Sequence, residues 1–106
     1  MPKFLIAASF TPEGLRELQK DKASGRRQAI ASAIESLGGK LEAAYYALGE
    51  HDVFIIADLP SHIRAAALSV AASAAGLVRT HTTALLTVEE ADEALQQMVQ
   101  YRPPGG

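Results

Sequence analysis

The side chains able to do chemistry in this chain fall in a few short stretches. His51 and Asp52 follow Gly49 and Glu50 in a polar interval between two apolar runs, and Arg79, His81 and Thr83 alternate along a third run. Alternation at period two puts Arg79, His81 and Thr83 on one face of a strand. A guanidinium beside an imidazole suits a small anionic ligand, with Arg79 gripping it and His81 carrying a proton near neutral pH. The same polar row would equally discourage an exposed sheet edge from pairing with another chain. His51 and Asp52 are neighbours on an extended segment, so their side chains diverge and adjacency alone makes no dyad. A structural alternative has Gly49 permitting a turn, Asp52 closing it through backbone N–H groups, and His51 on the surface. Tyr45 and Tyr46 are also split across two faces, one expected in the core and the other in a dimer contact or pocket lining. The candidates are therefore His51 and His81 for catalysis, Arg79, Tyr45, Tyr46 and Asp52 for ligand binding, and Gly49 for the turn.

Several chemistries are excluded or disfavoured. The chain has no cysteine, so disulfides, thiolate catalysis and Cys-based zinc sites are out of reach. Its three histidines, His51, His62 and His81, lack metal-ligand spacing, and His62 is expected to be solvated in the first turn of a helix. No metal and no cofactor is expected. Gly38-Gly39 follows a helix rather than a strand, so it is no phosphate loop, and no Gly-x-Ser-x-Gly elbow occurs. A net charge of -2 leaves no footprint for nucleic acid. Arg26 and Arg27, the only adjacent basic pair, read as a solvated helix face. No segment approaches the roughly 20 apolar residues of a membrane helix, and a cytoplasmic location is the default.

The elements that must position these groups follow from pattern. Phe4 to Phe10 is a short apolar run, read as a strand. Thr11-Pro12-Glu13 starts a helix with a cap, a proline at the first helical position and an acid at the positive end. That helix falters over Asp21–Gly25, with Ser24 as a new cap, resumes through Ile30, Ala33, Ile34 and Leu37, and ends at Gly38-Gly39. Lys40–Leu48 and His51–Asp58 read as strands, joined too closely to be anything but an antiparallel hairpin. Pro60-Ser61 opens a second helix, closed by Gly76, whose buried stripe is expected to be Ile63, Ala66, Ala67, Val70, Ala71 and Ala74. Leu77–Leu86 is a fourth strand. Thr87 and Glu90 form a capping box for a last helix with Ala91, Leu95, Met98 and Val99 on one face.

The order β-α-β-β-α-β-α gives an α+β, ferredoxin-like βαββαβ domain with an additional C-terminal helix and a four-stranded antiparallel sheet. We expect a single domain over residues 1–101 and a flexible tail over 102–106. Val53, Ile55 and Ala57 face one way and Phe54 and Ile56 the other, while Leu5 and Ala7 oppose Phe4, Ile6 and Ala8. A sheet covered on one side should be polar on its other side. Either the last helix folds over the second face or a second copy covers it.

These stretches carry a resemblance. The opening strand into SFTPEGLR, the hairpin GGKLEAAYYALGEHDV, the Ala-rich second helix and VRTHTTALLTVEE resemble the GYD-domain family over nearly the whole chain. These are small bacterial and archaeal proteins with a dimeric ferredoxin-like (α+β barrel) fold. The family's hairpin typically reads L-G-x-Y-D; here Leu48-Gly49-Glu50-His51-Asp52 keeps Gly49 and Asp52 and places His51 at the Tyr position. The resemblance implies a homodimer or higher homo-oligomer and no settled activity. The leading expectation is a small-molecule-binding or accessory module, with the ligand between helices and sheet and no nucleic-acid or membrane partner. The alternative is a cofactor-free enzyme, monooxygenase- or isomerase-like, using His51, Arg79 and His81 around a pocket under the helices.

Overall fold

The computed structural model describes residues 1–106. Its elements are β1 (Lys3–Phe10), α1 (Pro12–Ser36), β2 (Lys40–Tyr46), β3 (Val53–Asp58), α2 (His62–Ala74), β4 (Val78–Leu85) and α3 (Val88–Leu95). The sheet is antiparallel throughout in the order β2-β3-β1-β4. The α+β, ferredoxin-like arrangement read from the sequence is the one observed. β1 gains Lys3 and the other strands are trimmed at their ends: β2 stops at Tyr46 rather than Leu48, β3 starts at Val53 rather than His51, and β4 loses Leu77 and Leu86. No helix is long and apolar enough to cross a membrane.

The caps are local chemistry. Thr11 Oγ1 accepts from Gly14 N at 3.1 Å, Ser61 Oγ from Arg64 N at 3.2 Å, and Thr87 Oγ1 from Glu90 N at 3.1 Å. Glu90 completes the capping box by accepting from Thr87 N at 2.8 Å, which holds its carboxyl below the usual range. The interruption in α1 is real but lies at Lys22 (φ 66, ψ 167), two residues before the expected Ser24 cap. A non-glycine residue at positive φ is held there at some cost in strain.

One face of the sheet carries the core. Phe4, Ile6 and Ala8 from β1 and Val53, Ile55 and Ala57 from β3 pack under Ile34, Leu59 and Ala65. Ile34 and Leu59 are fully buried, each contributing about 1.5–3 kcal/mol by removal from water. The expected stripe on α2 has the wrong phase. Ala65, Leu68, Ser69 and Ala72 turn inward instead, and Ile63 and Val70 are exposed. An alanine-rich helix presents nearly equal apolar faces in several phases. The one chosen puts Ser69 against Thr80 of β4 in a 2.6 Å hydrogen bond.

α3 does not fold over the second sheet face. None of its residues is buried and only Ala91 is half-buried; the helix ends at Leu95, so Met98 and Val99 lie beyond it and are exposed. The molecule is elongated, 56 × 32 × 23 Å, with a radius of gyration of 16.7 Å, against about 13 Å for a compact chain of this length.

The entry to α1 is fixed against the connection between α2 and β4. Thr11 N donates to the Leu77 carbonyl at 2.9 Å, and Thr11 Oγ1 donates to Gly76 O at 3.0 Å. Gly14 sits so close behind that a Cβ there would collide with the Leu77 carbonyl oxygen. Gly14→Ala should therefore lower stability by about 1–3 kcal/mol, read as a drop in the urea midpoint with an unchanged slope. Unaltered stability would mean this junction is loose.

Candidate functional site

The sheet divides the molecule's chemistry into two regions. On the helix side a cavity of about 320 Å³ lies between the sheet and the two long helices. Its walls are mainly apolar, with Ile6, Val53 and Ile55 from the sheet, Ile30 from α1 and Leu68 from α2. The polar groups on it are Arg26, Ser69, Thr80 and Thr82. Ser69 and Thr80 satisfy each other. Arg26, which the sequence presents as half of a solvated basic pair, is half-buried and forms no ion pair. The missed signal is that Arg26 lies four residues before Ile30, on the same helical face.

On the other side, an uncovered sheet face gathers most of the residues singled out from the sequence. Tyr45, Phe54, Ala7 and His81 form one cross-strand row, and Ser9 pairs with Arg79 in the next. His51 folds onto this face from the β2–β3 connection. Its ring meets Phe54 edge-on at 5.7 Å and His81 at 5.5 Å between centroids, and its Nδ1 lies 3.4 Å from Ser9 Oγ. The rings of His51 and His81 thus meet, and Arg79 lies on the same face two residues before His81 on the edge strand β4, as the alternation requires. None of them lines the helix-side cavity.

Asp52 does structural work. Its Oδ2 accepts from Phe10 N at 2.8 Å, its own N–H donates to Ala8 O at 2.9 Å, and its carbonyl accepts from Ala47 N at 2.8 Å. It stitches the end of β1 to the hairpin and forms no hydrogen bond with His51. Gly49 has φ +154 with open space where a Cβ would go, so backbone conformation, not crowding, sets glycine there.

The tyrosines depart from expectation, since neither is core. Tyr45 is 70% exposed on the uncovered face. Tyr46 lies on the helix side, its hydroxyl donating at 3.5 Å to Ala23 O just past the break in α1. Desolvation raises its pKa above 10.0, partly offset by the positive charge of Arg26. His62 is exposed at the start of α2. No group of three or more His, Asp or Glu side chains could hold a metal ion.

The GYD domain family model matches residues 4–95. The chain belongs to the GYD domain family. No curated protein and no solved structure matches it. In this GYD domain the Gly and Asp of the hairpin motif serve the backbone, through the turn at Gly49 and the clamp at Asp52. The third motif position, His51, points onto the uncovered face. The family's function is uncharacterised, and the domain's geometry has to carry the functional reading.

One end of the uncovered face is held by Lys3, whose Nζ donates to Asp58 Oδ1 and Glu42 Oε1, each at 2.8 Å. The hydrogen bond to Asp58, then that to Glu42, raises the Lys3 pKa above 10.5. Both Lys3 and Tyr46 keep their protons more tightly in the folded GYD domain. Their contributions are complete below the unfolded pKa values near 10 and are lost as pH rises through the folded ones. Thermal unfolding should show stability falling above about pH 10, less steeply in Lys3→Met and Tyr46→Phe; an identical slope in all three would contradict this.

Asp52→Ala should cost about 1–3 kcal/mol by stranding the Phe10 N–H. Asp52→Asn, which keeps an acceptor oxygen, should cost less. Equal losses in denaturant unfolding would argue that the carboxylate's charge, not its hydrogen bond, matters.

Proposed function

We propose that this GYD domain is a homodimeric small-molecule-binding module. A second copy covers the open sheet face, and the ligand enters the cavity on the helix side. The observation that carries the binding role is the 320 Å³ cavity, apolar over most of its wall with a few polar groups. Ligand sites of known proteins begin at about 300 Å³ and share this composition.

Surface area supports the dimer. The chain exposes 7511 Å², about 1,800 Å² more than a compact monomer of its mass. A two-fold interface using that excess would be of the size of obligate homodimers. Leu5, Phe54 and Ile56 on the open face are half-buried, and Tyr45, Val88 and Leu95 stand exposed beside or beyond it. Two such faces brought together would remove apolar area from water on both copies at once.

A cofactor-free enzyme using His51, Arg79 and His81 would need its substrate at those side chains. Their surroundings are a sheet surface, and the one sizeable cavity lies on the other side. No carboxylate orients either imidazole, since Asp52 is committed to the Phe10 N–H. The module reading is therefore preferred.

Native mass spectrometry and sedimentation at micromolar concentration should give twice the chain's 11.2 kDa. Ile56→Asp should shift the equilibrium to monomer by burying a charge at the dimer centre. A monomeric wild type, or an Ile56→Asp dimer as tight as wild type, would contradict the pairing.

A further inference from the structure

We propose that the helix-side cavity takes a compact apolar molecule bearing one anionic group, whose charge is met by Arg26. This rests on the small-molecule reading above and specifies its ligand class. The cavity's volume of about 320 Å³ equals that of about ten waters at ~30 Å³ each, room for a molecule of roughly a dozen non-hydrogen atoms.

Charge selects the class. Arg26 is the one ionisable side chain on the cavity wall. It is half-buried and without an ion pair. An adjoining cleft of about 190 Å³ shares Arg26, Phe10 and Val78 with the cavity and adds Glu17 and Asp21. Arg26 thus stands at the junction, its cavity side apolar and its cleft side acidic. Neither acid is within ion-pair distance of it, so the guanidinium remains available to an anion arriving from the cavity. A ligand cation would meet a like charge at Arg26 with no carboxylate on the cavity wall to receive it. A wholly neutral ligand would leave the guanidinium covered but unsatisfied. A carboxylate or similar planar anion matches the two-pronged donor geometry of arginine.

The remaining wall gives no second charged contact, and Thr82 adds only an exposed hydroxyl. Ser69 and Thr80 are bonded to each other at 2.6 Å, which leaves them little reason to select a strongly polar body. Recognition is therefore one-ended, with an acid head at Arg26 and an apolar body against Ile6, Ile30, Ile55 and Leu68.

The test uses nonanoate and nonan-1-ol as matched probes on the full chain, followed by titration calorimetry and by methyl shifts of Ile30, Ile55 and Leu68. We expect nonanoate to bind about tenfold more tightly than the alcohol, as one charge-assisted contact provides. Arg26→Gln should abolish that preference, mainly by weakening nonanoate, and Arg26→Lys should keep part of it. Equal affinity of the two probes for wild type would overturn the anionic class while leaving the small-molecule reading standing. A preference that survives Arg26→Gln would overturn the role of Arg26. Failure of both probes to bind, or shifts confined to residues outside the cavity, would overturn the cavity site and the reading beneath it.

Discussion

The structure depends on the two central strands being apolar on both faces. β1 and β3 alternate, but both halves of the alternation are largely hydrophobic: Phe4, Ile6, Val53 and Ile55 on one side, Leu5, Ala7, Phe54 and Ile56 on the other. The helices of one chain cover only one of these sides. α1 and α2 take the side of Phe4 and Ile55, and α3, which could have taken the other, projects away with its apolar residues exposed. Everything else about the molecule follows from which side is covered and by what.

Coverage on the helix side is incomplete in a specific way. The helices reach the sheet through Ile34, Ala65 and Leu68, while Ala29, Ala33 and Ala72 line the space between. Alanine brings helix backbone close without filling the space a larger side chain would fill, so a cavity remains where Val53 and Ile55 meet the helices. Apolar walls without partner atoms forgo dispersion contacts, a loss that a bound ligand would recover. The break at Lys22 lies between the first turns of α1, tied to Leu77, and the later turns that carry Arg26 and Ile30 over the sheet. The helix can therefore satisfy two anchor points that one straight rod need not.

Much of this was legible in the residues. Strand order along the chain, the hairpin, the caps at Thr11, Ser61 and Thr87 and the falter in α1 rest on short-range chemistry, which sequence reports well. The two-faced strands were equally plain, because period-two alternation of Val53 to Asp58 exposes both sets. What was hidden depended on choices between near-equal alternatives. The phase of α2 was not plain from hydrophobicity, since alanines occur on most of its faces; the phase observed buries Ala65, packs Leu68 on the core and brings Ser69 to Thr80. Arg26 looked like surface because its neighbour Arg27 is, although it shares a helical face with Ile30, four residues on, which also lines the cavity. The histidine pair was half legible: alternation placed His81 beside Arg79, but nothing local said that His51 would fold back from the turn to meet it. Asp52 followed its structural reading rather than its chemical one, accepting from the Phe10 N–H.

The central claim is that the second apolar face of the sheet is an interface between copies. Isotope-filtered NMR on an equal mixture of labelled and unlabelled chains tests it most directly. Intermolecular contacts should arise from the side chains of Leu5, Phe54 and Ile56. A mixture whose intermolecular contacts are absent, or come only from the outer surfaces of α1 and α2, would contradict it.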